Sequence, residues 1–284
     1  MPLPRRSPDG LGRARSAARR RGGSDVLARV LAALPMIALA VVLVALGGPV
    51  FAAGMFVLAV VCLRELFSMY ERARPVIFGA IVGVGGLVAA AVLGDASSVL
   101  LALVCCIPVV FLFGLLQPGG AGVAGVTIAL FGLVWIGLGF AHAVLLRESV
   151  HGGGIVVVVL VATFIGDTGA YFGGRALGRR PLAPAISPNK TVEGLLIGIV
   201  AAVAAAWFAG LYQDWLSGMD ALLLGLAVAL TAPIGDLFES FVKREAGTKD
   251  SGRVFGAHGG ALDRLDAVLF SIVAGYYVWQ ALAA

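Results

Sequence analysis

The sequence predicts an all-α polytopic integral membrane protein of about nine transmembrane helices with a cytoplasmic N-terminus. Three observations carry that reading. The 284 residues are 60% hydrophobic and 13% charged, against roughly 45–50% apolar content in soluble domains. The apolar residues come in runs of about 17–23, long enough to cross about 30 Å of hydrocarbon at 1.5 Å per residue, and none alternates as barrel strands do. Finally, with nine spans and the N-terminus inside, every one of the 21 Lys and Arg residues except Arg147 falls on the cytoplasmic side, as the positive-inside rule requires.

In chain order, residues 1–25 are rich in Arg, Pro, Gly and Ser and hold too few large apolar side chains to offset the entropy of ordering. They read as a disordered basic cytoplasmic tail. A cleaved signal peptide is not expected, because the next apolar run is full-length and no small-residue cleavage site before a soluble domain follows it. Candidate spans then occupy 28–46, 49–66, 76–94, 97–116, 123–146, 153–173, 191–212, 219–241 and 263–282. This divides the chain into an N-terminal transmembrane region, 26–150, of about five spans, and a region of about four spans, 151–284, that carries the candidate chemistry.

Several residue classes suggest no chemistry. Cys62, Cys105 and Cys106 all lie in apolar runs, without the two-to-four-residue spacing of zinc ligands, and read as small packing groups. His142 lies in a span and His151 in an outside loop, while His258 alone sits among polar and glycine residues. The net charge of +5 follows from topology and from attraction to anionic lipid, about 1 kcal/mol per basic residue near the surface. No nucleic-acid partner is implied.

Intramembrane acids do need an explanation, since a carboxylate at a helix centre costs roughly 2.5–3.5 kcal/mol on insertion scales. Asp167, Asp236 and Glu239 interrupt or close apolar runs. Asp236, Glu239, Ser240 and Lys243 follow at i, i+3, i+4 and i+7 and so share one helix face. Pro233 and Gly235 just before them can kink the helix. In the sixth span Thr163, Asp167, Tyr171 and Arg175 form a second polar seam, beside Gly169 and Gly173, which admit a close neighbour.

The densest polar stretch joins the last two spans. Lys243, Arg244, Lys249 and Arg264 can clamp phosphates, Gly259 and Gly260 let backbone amides approach a ligand, and Asp263 and Asp266 present carboxylates at a helix N-terminus. Acids among phosphate-binding bases imply a bridging cation, a task that suits Mg²⁺. Upstream, Ser187-Pro188-Asn189-Lys190-Thr191-Val192-Glu193-Gly194 reads either as a helix start with its cap or as a phosphate contact through Ser187 and Lys190.

Residues 240–266, Ser-x-x-Lys-Arg-x4-Lys-Asp-x-Gly-x5-His-Gly-Gly-x-x-Asp-Arg-x-Asp, resemble the signature of the phosphatidate cytidylyltransferases, or CDP-diacylglycerol synthases. Gly166-Asp167-Thr168-Gly169-Ala170-Tyr171-Phe172 and the stretch 187–194 resemble that family's upstream motifs in the same order. Ala261, Gly166 and Asn189 depart from it, where a larger aliphatic residue, Ala and Lys are usual. The resemblance implies transfer of CMP from CTP to phosphatidic acid with Mg²⁺ required and a second cation admitted. It further implies a homodimer in the inner membrane of a bacterial cell, with the site facing the cytoplasm. It makes Asp236 and Asp263 the metal ligands, with Lys243, Arg244, Lys249, Asp250 and Asp266 as their catalytic partners. Substrate contacts fall to Ser187, Lys190, Ser240, His258, Gly259, Gly260, Arg264 and Asp167. Two alternatives stay open on the residues alone: a CTP-dependent enzyme acting on another lipid phosphate or alcohol, and an ion-coupled transporter, although no internal repeat is present.

Overall fold

Within the described residues each apolar run satisfies its own backbone by folding as a helix, which together with closed barrels is the arrangement hydrocarbon tolerates. The computed structural model describes residues 37–252 and 259–283. The tail over 1–25 and the start of the first run therefore lie outside the described residues. The helices are α1 (Ile37–Leu46), α2 (Gly48–Met69), α3 (Ile77–Leu93), α4 (Ala96–Leu116), α5 (Val123–Gly132), α6 (Leu138–Glu148), α7 (Gly152–Leu177), α8 (Val192–Gly210), α9 (Gly218–Glu245) and α10 (Leu262–Ala283). One π-helical turn, Leu133–Gly137, joins α5 to α6, so these two run as a single 26-residue helix. Among the described residues seven helices, counting Val123–Glu148 as one, are long and apolar enough to cross a membrane, while α3 and the described part of α1 are shorter. The protein is an all-α polytopic membrane protein.

Residues Leu43–Ala284 form one compact unit, and the described residues before it, 37–42, are helical. Positive φ angles at Gly47 (61°) and Gly48 (48°) break α1 from α2. At this break Arg147 Nε donates to the carbonyl of Val44 at 2.9 Å, and a Cβ on Gly47 would run into its guanidinium. Arg147 thus satisfies a helix-end carbonyl. At the start of α4, Asp95 accepts from Ser97 Oγ (2.6 Å) and Ser98 N (2.9 Å), and these bonds hold its carboxyl at about 2. The π turn falls where α5–α6 crosses α2 and α3. There Gly132 faces Leu63 and Gly137 faces Leu87, each too close for a Cβ.

The helices that position the site pack through glycine. A Cβ on Gly169 would stand 2.6 Å from that of Ala201, and one on Gly173 would stand 2.6 Å from Ile197 Cδ1. This is the close neighbour expected of these two positions, and it is α8. Gly198 answers from α8, where a Cβ would meet the carbonyl of Gly166 at 2.9 Å. Gly198→Val is therefore expected to push α7 from α8 and cost about 1–3 kcal/mol, as overpacking does. A lowered midpoint in detergent thermal denaturation would show it, and an unchanged midpoint would refute the tight crossing.

One feature differs from the sequence reading. Between α7 and α8 the chain forms a small antiparallel hairpin, β1 (Pro181–Ala183) with β2 (Ser187–Thr191). The upstream polar stretch serves as strand and cap together. Thr191 Oγ1 accepts from Gly194 N at 3.1 Å, while Glu193 Oε2 accepts the amides of Arg179 (2.9 Å) and Arg180 (3.1 Å). α9 continues through Pro233 as one helix. Here Gly235 admits the backbone of α10, since a Cβ would meet Asp266 O at 2.5 Å and Ala267 Cα at 3.1 Å. That crossing lays the acids of the two helices side by side.

Candidate active site

The face of α9 that carries Asp236, Glu239 and Lys243 turns toward the start of α10. Lys243 Nζ lies 2.6 Å from Glu239 Oε2 and 2.7 Å from Asp263 Oδ1, bridging the helices. Lys190 of β2 reaches across from the hairpin to Asp236 Oδ2 at 2.5 Å. Asp167 of α7 stands exposed, within electrostatic range of both Asp236 and Lys190. Asp266 is buried within electrostatic range of Glu239 and Asp236, its Oδ1 accepting the amide of Ala267 at 2.8 Å. Four elements separated in sequence thus bring five carboxylates and two lysines to one end of the bundle.

Exposure grades the site from mouth to interior. Asp236 keeps 35% of its side-chain area and Lys190 26%, whereas Asp263 and Lys243 keep 12% each and Glu239 1%. Asp236 and Lys190 can touch a ligand as they stand. Asp263 is engaged on both oxygens. Oδ1 accepts from Lys243, and Oδ2 from Gly260 N (2.7 Å) and Ser251 N (3.0 Å). Among the described residues Glu239 Oε1 is buried without a hydrogen-bond partner, an arrangement that normally carries an energetic penalty.

The remaining sequence candidates sort by place. Arg244 is exposed, with Nε donating to Ile186 O and Nη1 to Thr248 O, both at 3.3 Å, so it ties the hairpin to the end of α9. Lys249, Asp250 and Arg264 are exposed near that end, while Ser187 and Ser240 are half-buried. His258 lies outside the described residues. Gly259 has φ 87°, and Gly260 is buried with its Cβ position filled by Ser251 and Glu65. The close approach these glycines permit is an approach to the protein's own carboxylates.

Sequence reasoning passed over Glu65. It lies on α2, is 5% exposed, and accepts from Ala261 N (3.0 Å), Leu262 N (2.8 Å) and Ser251 Oγ (3.3 Å). Its one signal in the sequence is an acid near the end of the apolar run 49–66. Glu239, seen as an intramembrane acid but left out of the candidate site, lies at its centre.

A family model described as "Cytidylyltransferase family" matches residues 27–282, nearly the whole chain and every element of the site. The chain belongs to the cytidylyltransferase family. Similar proteins include phosphatidate cytidylyltransferases of Helicobacter pylori strain J99, 49% identical over 117 residues, 40% of this chain and 43% of that one. One from Mycobacterium bovis is 37% identical over 166 residues, 57% of this chain and 53% of that one. One from Staphylococcus saprophyticus is 36% identical over 143 residues, 50% of this chain and 54% of that one. The aligned part spans about half the length of these curated relatives.

The donor set of this cytidylyltransferase-family site also fits a divalent cation. Among the described residues no three of His, Cys, Asp and Glu converge as a complete ligand set. Mg²⁺ does not require one, because it takes one or two carboxylates and completes its shell with water and substrate phosphate. Asp236, 35% exposed, is the carboxylate open enough to take such a place.

Proposed function

We propose that this protein transfers CMP from CTP to phosphatidic acid, forming CDP-diacylglycerol and releasing pyrophosphate. The observation that carries the reading is the meeting of Asp167, Asp236, Glu239, Asp263 and Asp266 with Lys190 and Lys243 at the mouth shared by α7, the hairpin, α9 and α10. Bringing two polyanions into contact is the central difficulty of this reaction, and a site of fixed opposite charges meets it by positioning and electrostatics rather than by covalent chemistry.

In the reaction, an oxygen of the lipid phosphate bonds to the α-phosphorus of CTP while the bond from that phosphorus to the bridging β-phosphate oxygen breaks. Pyrophosphate leaves with the electron pair. The attacking oxygen is already anionic near neutral pH, so no dedicated base is needed. Lys190, at the exposed mouth, supplies positive charge to phosphate oxygens, and Lys243 holds Glu239 and Asp263 in register. Lys249 and Arg264 add charge around the entrance. Asp236 and Asp263 are the residues assigned to hold Mg²⁺, with Glu239 and Asp266 supporting them. When bound, the ion supplies charge neutralisation to the phosphates.

The orientation follows from charge. Arg72 and Arg74 after α2, Arg175 to Lys190 around the hairpin, and Lys243 to Lys249 after α9 belong to the segments that the positive-inside rule assigns to the cytoplasm. The site would then face the cytoplasm from the inner membrane, where both CTP and the lipid headgroup are accessible. A homodimer completes the reading.

Purified protein incubated with labelled CTP and a panel of lipids tests it. Labelled CDP-lipid is expected with phosphatidic acid and Mg²⁺ and not when the metal is chelated. Product from another lipid phosphate or alcohol, with none from phosphatidic acid, would replace the substrate assignment.

A further inference from the structure

We infer that Glu65 is a positioning residue for this site, a carboxylate on α2 that clamps Ser251 and the first amides of α10 and thereby fixes where Asp263 stands. Two stretches of chain, Ser251–Gly252 and Gly260–Leu262, converge on this one side chain. Ser251 Oγ donates to it at 3.3 Å, Ala261 N at 3.0 Å and Leu262 N at 2.8 Å.

The first amides of a helix have no partner within the helix, and a carboxylate there meets both their hydrogen-bonding need and the positive end of the helix dipole. Usually a residue one turn away in sequence supplies it. Here two acids share the amides at and just before the start of α10, together with that of Ser251. Glu65 takes Ala261 N and Leu262 N, while Asp263 turns back to take Gly260 N and Ser251 N. The partners of the two carboxylates alternate along the same few residues, so Asp263 cannot keep its place if the groups held by Glu65 move.

Glycine placement is a second, independent observation. A Cβ on Gly252 would fall on Oε1, Cδ and Cγ of Glu65, and one on Gly260 on Ser251 Oγ and Glu65 Oε2. Neither glycine has a φ in the left-handed region, so their lack of a side chain is a matter of space, and the space is taken by Glu65. The acid, the two glycines and Ser251 form one unit, and its output is the position of Asp263.

The kinetic arm of the test rests on the proposed CMP transfer, and the exchange arm does not. In full-length protein, Glu65→Gln keeps the shape but turns an NH₂ toward donors. Turnover should fall about 100-fold, the scale on which a misplacement of about 1 Å acts, with half-saturating phosphatidic acid unchanged and half-saturating Mg²⁺ raised. Hydrogen exchange in the segment 259–262 should quicken at least about tenfold, the equivalent of losing about one net hydrogen bond. Glu65→Asp, which keeps the charge one methylene shorter, should fall between.

Gly252→Ala displaces the carboxylate without removing it, and so tests the clamp even if Glu65→Gln fails to fold. It should reproduce both effects. In a Glu65→Ala background, with nothing left to strike, adding Gly252→Ala should change little further. Losses that multiply in the double variant would overturn the inference. So would quickened exchange with unchanged turnover, which would make Glu65 a structural cap only. If wild-type protein yields no CDP-diacylglycerol, the substrate assignment falls by itself. Exchange in the same variants then still decides the clamp, and unaltered exchange in both Glu65→Gln and Gly252→Ala refutes it.

Discussion

Asp236→Asn and Asp263→Asn are each expected to lower CMP transfer by at least about a thousandfold, the scale on which charge-stabilising groups act, but through different physical routes. Asp236 is the more open acid, paired at 2.5 Å with Lys190 and 35% exposed. Exposed pairs of this kind contribute about 0–1 kcal/mol, so Asp236→Asn should leave thermal stability nearly unchanged while removing the charge that faces the ligand. Asp263 instead accepts from Lys243, Ser251 N and Gly260 N. In Asn one of the two tips becomes a donor facing these donors, and stability should drop by about 1–3 kcal/mol, the cost of leaving buried groups unsatisfied. Turnover and detergent melting midpoints measured on both variants separate the routes. Substantial residual turnover in both would remove these acids from the reacting centre.

Hydropathy made the fold class legible because a bilayer imposes length and apolarity on every span. The runs 49–66, 97–116 and 219–241 correspond to α2, α4 and most of α9. The π turn and the hairpin were not legible. Leu133–Gly137 is as apolar as its flanks, and only the helices crossing at Gly132 and Gly137 distinguish it. The stretch 187–194 reads as a capped helix start or a phosphate contact, and nothing in it announces a strand whose Lys190 reaches Asp236.

In the site, local geometry was legible and long-range geometry was not. The i, i+3, i+4, i+7 spacing on α9 foretold one polar face, and Lys243 does reach Glu239 from it at 2.6 Å. No spacing could foretell that the same ammonium reaches Asp263, twenty positions on, or that Glu65 meets Leu262 from 197 positions away. Burial was hidden as well. Glu239 looked like one of several costly acids, and only packing shows it 1% exposed.

Lys243→Met is expected to be among the most destabilising single substitutions in the site. The ammonium is 12% exposed and stands between Glu239 Oε2 at 2.6 Å and Asp263 Oδ1 at 2.7 Å. Removing one partner of a buried ion pair costs about 3–5 kcal/mol, because a charge is left without compensation. Here two carboxylates lose their cation at once, with Asp266 close by on α10. Lost packing is a poor alternative explanation, since Met keeps most of the stem. The charge argument also makes a second-site prediction. Adding Glu239→Gln to Lys243→Met removes one uncompensated charge and should recover part of the lost stability, although Glu239→Gln alone leaves Lys243 with one acid fewer. Denaturation of the four proteins in detergent gives the coupling between the two sites. A Lys243→Met protein as stable as wild type, or one that Glu239→Gln destabilises further, would mean that Lys243 is not the cation holding α9 to α10.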